Sequence, residues 1–129
     1  MMLTTTVYPL SADRTSPAAA RARVRAAMGS RGPGEMREAA EVVVSELVTN
    51  AVRYGTEPIS LALSVAADDL RIEVCDAESD VAAVAPRDPS PGEPTGRGLR
   101  LVEVLSKSWG VVGHGDGRGK TVWAVVTFR

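Results

Sequence analysis

Residues 36–54, MREAAEVVVSELVTNAVRY, form the stretch around which the rest of the chain can be placed. Apolar residues recur at intervals of three and four, the spacing of one face of an α-helix, and a second row widens that face. The first row comprises Met36, Ala40, Val43, Leu47, Ala51 and Tyr54, and the second comprises Val44, Val48 and Val52. The pattern predicts a largely buried helix that Gly55 ends.

The segments before this helix predict a strand and another helix. Residues 3–10 are rich in β-branched side chains, and Ser16 followed by Pro17 marks the start of a helix that runs to about Met28. After the long helix, residues 58–76 alternate apolar and smaller or polar side chains, as expected for a β-hairpin that turns at residues 68–69.

The segments after the hairpin are a proline-rich stretch, a helix and two more strands. Residues 77–95 show no period and carry four of the eight prolines, so we expect a lid loop there. A short helix follows from Gly96 to near Lys107, and strands are predicted over 109–113 and 121–128. This order predicts an α+β two-layer sandwich, a mostly antiparallel sheet with helices on one face.

Length and composition limit the classes of protein to consider. The chain has 129 residues, 44% of them hydrophobic, and a formal net charge of -1. We expect one domain over residues 1–129, with no charge field to hold nucleic acid and no apolar run to span a membrane. Cys75 is the only cysteine and cannot form an internal disulfide, which favours a cytoplasmic location.

Three polar residues follow one stripe of the long helix. Glu46, Asn50 and Arg53 are spaced by four and seven residues, and a glutamate one turn from an asparagine suits phosphoryl transfer, with the amide oxygen on Mg²⁺ and the carboxylate as base. A solvated stripe on an amphipathic helix explains the spacing equally well.

Two further motifs have similar alternatives. Asp76 stands where the hairpin gives way to the loop, either as a binding carboxylate or as an ordinary residue of a strand end. The run Thr95-Gly96-Arg97-Gly98 opens the third helix, where small residues let backbone N–H groups approach a phosphate, although glycines before helices are common.

The stretch HGDGRGKT at residues 114–121 does not fit a P-loop, because the residues after Thr121 are strand-like. His114 is the only histidine, which argues against a zinc site.

The ordered set of ELVTNAVRYG, a strand ending in Asp76, a proline-rich loop, TGRGLRLV and GKTVWAV resembles the GHKL ATPase superfamily. Within it, the chain is most similar to the small anti-sigma factor serine kinases of bacteria. The resemblance implies the Bergerat ATP-binding fold, with ATP and Mg²⁺ as cofactors. It also implies that Glu46 is the catalytic base, that Asn50 ligates Mg²⁺, and that Asp76 accepts a hydrogen bond from the adenine amino group.

The same resemblance places Gly96, Arg97 and Gly98 on the phosphate side of the lid and Thr121 near adenine. We add Arg53 as a cation that faces phosphate. The implied activity is phosphorylation of a serine on an antagonist protein. The implied partners are a sigma factor and an anti-anti-sigma-like protein, and relatives of this kind often form homodimers.

One departure from the family pattern supports an alternative. The family has glycines after its aspartate, as Asp-x-Gly-x-Gly, whereas this chain reads Asp76-Ala77-Glu78-Ser79-Asp80. The alternative function is a non-catalytic partner-switching module with weak or no nucleotide turnover.

Overall fold

The computed structural model describes residues 4–78 and 95–128, which form three α-helices and a five-stranded sheet. The predicted lid segment, residues 77–95, lies mostly outside the described residues. The helices are α1 (Ser16–Met28), α2 (Gly34–Tyr54) and α3 (Thr95–Leu105). The strands are β1 (Thr4–Leu10), β2 (Ile59–Val65), β3 (Asp69–Asp76), β4 (Ser108–Gly113) and β5 (Lys120–Thr127).

The strands pair in the order β1-β2-β3-β5-β4, and every pair is antiparallel. Strand β5 therefore lies between β3 and β4, beside the hairpin that β2 and β3 form. The predicted fold class, an α+β sandwich with a mostly antiparallel sheet, is confirmed.

Helix α2 lies at the centre of the hydrophobic core, as its two apolar rows predict. Six of its residues are buried: Ala40, Val43, Val44, Leu47, Val48 and Ala51. The predicted first row fails at its last member, because Tyr54 is 49% exposed in the last turn of the helix. Burial of the six residues removes apolar surface from water, which stabilises the packing of α2 on the sheet by about 25 cal/mol per Å² of surface buried.

The alternation of side chains along the strands defines which face of the sheet packs against the helices. In β3 the even-numbered residues are buried and the odd-numbered ones are half-buried, and β5 shows the same alternation. Successive side chains of a strand point to opposite faces, so each strand has one core face and one outer face. None of the helices in the described ranges has the length and apolarity needed to cross a bilayer.

Candidate functional site

Helix α2 carries the first group of predicted site residues. Glu46 and Asn50 are half-buried, one turn apart, and Arg53 is exposed in the last turn. Burial raises the pKa of the Glu46 carboxyl above its usual value. Among the described residues, no hydrogen bond or ion pair engages the side chains of Glu46 and Asn50. The helix thus presents a desolvated carboxylate and an amide whose polar atoms are available to a ligand.

Arg53 lies further along the same helix but faces solvent. Its guanidinium carbon is 5.9 Å from the centroid of the Tyr54 ring, a weak cation–π contact.

Asp76 forms a buried ion pair at the other side of the site. The Nζ atom of Lys120 is 3.0 Å from Oδ1 of Asp76, and the two side chains are only 5% and 2% exposed. The same Oδ1 accepts a hydrogen bond of 2.7 Å from the backbone N–H of Glu78. Asp76 is therefore a fixed and charge-compensated carboxylate.

Lys120 is the site residue that sequence reasoning missed. It pairs with Asp76 across the β3–β5 ladder, so the two side chains lie on the same face of the sheet. The sequence did contain a clue, because Lys120 is separated by an even number of residues from the buried apolar residues of β5 and so lies on the same face. Those residues are Val122, Ala124 and Val126. The predicted strand began at Thr121 and so left Lys120 outside the alternation.

Two glycines let the backbone close around Asp76. A Cβ atom at Gly55 would lie 2.5 Å from the carbonyl oxygen of Ala51 and 2.8 Å from Cγ of Asp76. At Gly119 the φ angle is +111°, and a Cβ atom would lie 2.2 Å from the carbonyl oxygen of Asp76. The end of α2 and the start of β5 therefore approach the carboxylate at distances that only glycine permits.

The glycine-rich run occupies the first turn of α3. Residues 95–98 are helical in backbone, and nothing is described of their side chains. Leu99 and Val102 follow and are buried in the core shared with α2. The placement of Gly96, Arg97 and Gly98 at a helix start agrees with the sequence, while their contact with phosphate stays a prediction.

Thr121 lies on the outer face of the sheet, away from the face that carries Asp76. Its Oγ1 atom is 2.7 Å from Nε2 of His114 and 3.0 Å from Sγ of Cys75. The structure thus brings Thr121 together with the only histidine and the only cysteine of the chain. It does not place Thr121 beside the Asp76 carboxylate.

The described residues contain no group of three His, Cys, Asp or Glu side chains that could hold a metal ion. A magnesium ion held by one amide and by nucleotide phosphates needs no such group, because Mg²⁺ is commonly bound through one or two protein ligands and substrate oxygens. The site fits that arrangement through Asn50, whose amide is unengaged in the described part of the chain.

Comparison with protein families identifies the class. The model of the histidine kinase-like ATPase domain matches residues 10–126, nearly the whole chain. The chain therefore belongs to the histidine kinase-like ATPase (GHKL) family, whose domains bind ATP, usually with Mg²⁺. A comparison with curated proteins finds no match.

Solved structures show the same fold at low sequence identity. The RsbU and RsbW domains of Rv1364c from Mycobacterium tuberculosis superpose with a TM-score of 0.62 and 21% identity, over 98% of this chain and 32% of that one. The histidine kinase domain of the Erythrobacter litoralis EL346 blue-light activated histidine kinase gives a TM-score of 0.56 and 19% identity, over 88% and 60%. The chain thus spans less than two thirds of either neighbour.

Proposed function

We propose that this chain binds Mg-ATP and transfers its γ-phosphoryl group to a serine of an antagonist protein, as an anti-sigma factor serine kinase does. The observation that carries the proposal is Glu46: a half-buried carboxylate, desolvated and unpaired among the described residues, one turn before Asn50. A carboxylate with a raised pKa is a better proton acceptor than an exposed one, which suits a general base.

Each residue of the site has a distinct task in this proposal. Bound ATP and Mg²⁺ would supply the transferable phosphoryl group and offset its negative charge. Glu46 would take the proton of the attacking serine hydroxyl as the serine oxygen forms the new bond to phosphorus, while the bond from the γ-phosphorus to the bridging oxygen breaks and ADP leaves. Asn50 would hold the metal ion through its amide oxygen, and Asp76 would accept a hydrogen bond from the base.

The glycine-rich start of α3, with Gly96, Arg97 and Gly98, would bind phosphate oxygens through backbone N–H groups at a helix N-terminus. Arg53 and Thr121 stay in the proposal as residues to test, Arg53 as a cation toward phosphate and Thr121 as a contact near adenine.

We also propose the partners and the setting. The likeness to a structure that contains an RsbW domain supports a sigma factor and an anti-anti-sigma-like protein as binding partners. A homodimer and a cytoplasmic location belong to the same proposal. The net charge of -1 supports a role without direct nucleic-acid binding.

Calorimetry and phosphotransfer together test the kinase. Wild-type protein is titrated with ATP, with and without Mg²⁺, beside Glu46→Gln and Asn50→Ala. We expect Asn50→Ala to lose the magnesium-dependent part of the affinity. Glu46→Gln should keep binding and lose phosphoserine formation on an anti-anti-sigma-like protein, measured by mass spectrometry. Wild-type Mg-ATP affinity in Asn50→Ala would refute the assignment.

A second function, the non-catalytic partner-switching module, is favoured by one feature. Glu78 and Asp80 stand where the family pattern has glycine, and the backbone N–H of Glu78 donates a hydrogen bond to Oδ1 of Asp76. The same titration separates the two functions, because a module that docks without nucleotide shows no heat with Mg-ATP.

A further inference from the structure

The ammonium group of Lys120 has more donors than the protein uses. A lysine ammonium carries three N–H donors. In the described ranges its acceptor is Oδ1 of Asp76, at 3.0 Å, and Lys120 has no further hydrogen bond there. Lys120 is also the one buried cation among the described residues, with the residue 4% exposed.

Fold stability alone is a weak explanation for this pair. Taking two charges out of water costs several kcal/mol per ion, and apolar side chains of similar volume often serve a fold as well or better. The carboxylate of the pair also lies against Gly55, which follows α2, and its backbone lies against Gly119, which precedes β5. A ligand acceptor beside the carboxylate would use the donors that the fold leaves over.

We propose that Lys120 is a base-reading residue, which donates a hydrogen bond to ring nitrogen N1 of adenine while Asp76 accepts one from the neighbouring 6-amino group. This inference rests on the proposed nucleotide binding. A carboxylate alone presents only acceptors. The Asp76–Lys120 pair presents an acceptor beside a donor, which matches the adenine edge, where an N–H donor lies next to a lone pair.

The ligand provides the cleanest test, because it leaves the protein unchanged. The full chain is titrated by calorimetry with Mg-ATP and with Mg-1-deaza-ATP, in which a C–H group replaces N1 and the 6-amino group is kept. We expect the analogue to bind about tenfold to a hundredfold more weakly, as a charge-assisted hydrogen bond predicts. Purine riboside triphosphate, which keeps N1 and lacks the amino group, probes Asp76 in the same way.

A variant tests whether the weaker binding of 1-deaza-ATP is due to Lys120. Lys120→Met keeps the length of the side chain and removes the donors, and Lys107→Met is the matched control at the chain's other lysine, which is 62% exposed at its side chain. In Lys120→Met we expect weaker ATP binding and a ratio of ATP to 1-deaza-ATP affinity near one. In Lys107→Met the ratio should equal that of the wild type.

The outcomes separate the inference from the proposed function. Equal wild-type affinities for ATP and 1-deaza-ATP would overturn the role of Lys120 and leave nucleotide binding intact. Tighter ATP binding by Lys120→Met would overturn it too, since the lysine would then block the base. Absence of ATP binding by the wild type would overturn both. If Lys120→Met does not fold, the wild-type comparison of the two nucleotides decides alone.

Discussion

Removing the charge of Lys120 should strongly destabilise the fold, even without any ligand. Its ammonium lies 3.0 Å from Asp76 Oδ1, and the side chains of the pair are 5% and 2% exposed. Loss of one partner of a buried ion pair costs about 3–5 kcal/mol, because the other charge stays buried without compensation. The more exposed ion pair of Lys107 with Asp69 serves as the comparison. Its Nζ and Oδ2 atoms are 3.4 Å apart, and its side chains are 62% and 29% exposed. There a substitution to methionine should cost at most about 1 kcal/mol.

Urea unfolding, followed by tryptophan fluorescence, measures both variants against the wild type. For a chain of this length the expected cost of Lys120→Met corresponds to a fall in melting temperature of about 10 to 20 °C, within the total stability of an ordinary domain. The double variant Asp76→Asn, Lys120→Met removes both charges and should recover most of the loss. If Lys120→Met costs no more than Lys107→Met, or if the double variant is no better than Lys120→Met alone, the pair is not the buried unit described above.

Three further predictions concern other parts of the site. Burial raises the pKa of Glu46, so the native state holds this proton to higher pH than the unfolded chain does. The free energy of unfolding of the wild type should therefore fall as pH rises through the raised pKa. Glu46→Gln should remove that fall, as measured by urea unfolding at a series of pH values. Gly119→Ala should destabilise by more than about 1 kcal/mol, since its Cβ atom would meet the Asp76 carbonyl oxygen at 2.2 Å, whereas Gly115→Ala has open space and should be nearly neutral in thermal melts. Asn50→Ala should leave the melting temperature of the ligand-free protein nearly unchanged but abolish its rise with Mg-ATP, and a full rise in the variant would contradict the metal role.

The sequence predicts the elements of this fold well because their periods are strong. The apolar rows of α2 repeat over five turns, and in the sequence of β2 and β3 apolar residues alternate with polar or smaller ones, so both elements could be placed from local pattern alone. The position of β5 between β3 and β4 could not, because strand order depends on long-range pairing rather than on local period. Tyr54 failed as a core residue, because its side chain in the last turn of α2 is about half exposed although it continues the apolar row.

The site was harder to predict, because it depends on which residues of β5 face the core. The sequence predicted the strand but began it at Thr121, so it did not show that Lys120 lies on the core face of β5. Thr121 lies on the outer face, where it contacts His114 and Cys75. A shift of a single residue in a strand exchanges its two faces. The motif gave the residue types, but only the register between β3 and β5 shows which of them meets Asp76.

That register also determines how any ligand meets the carboxylate. Asp76 and Lys120 both occupy strand positions on the core face, next to the buried Val74 and Val122. If either side chain moved away, the other would remain as an unpaired charge in apolar surroundings. Because the two charges are held together for that reason, a nucleotide cannot contact the carboxylate as an isolated acceptor. It meets an acceptor and a donor side by side, so the hydrogen-bonding edge that fits is one in which a donor and an acceptor are adjacent.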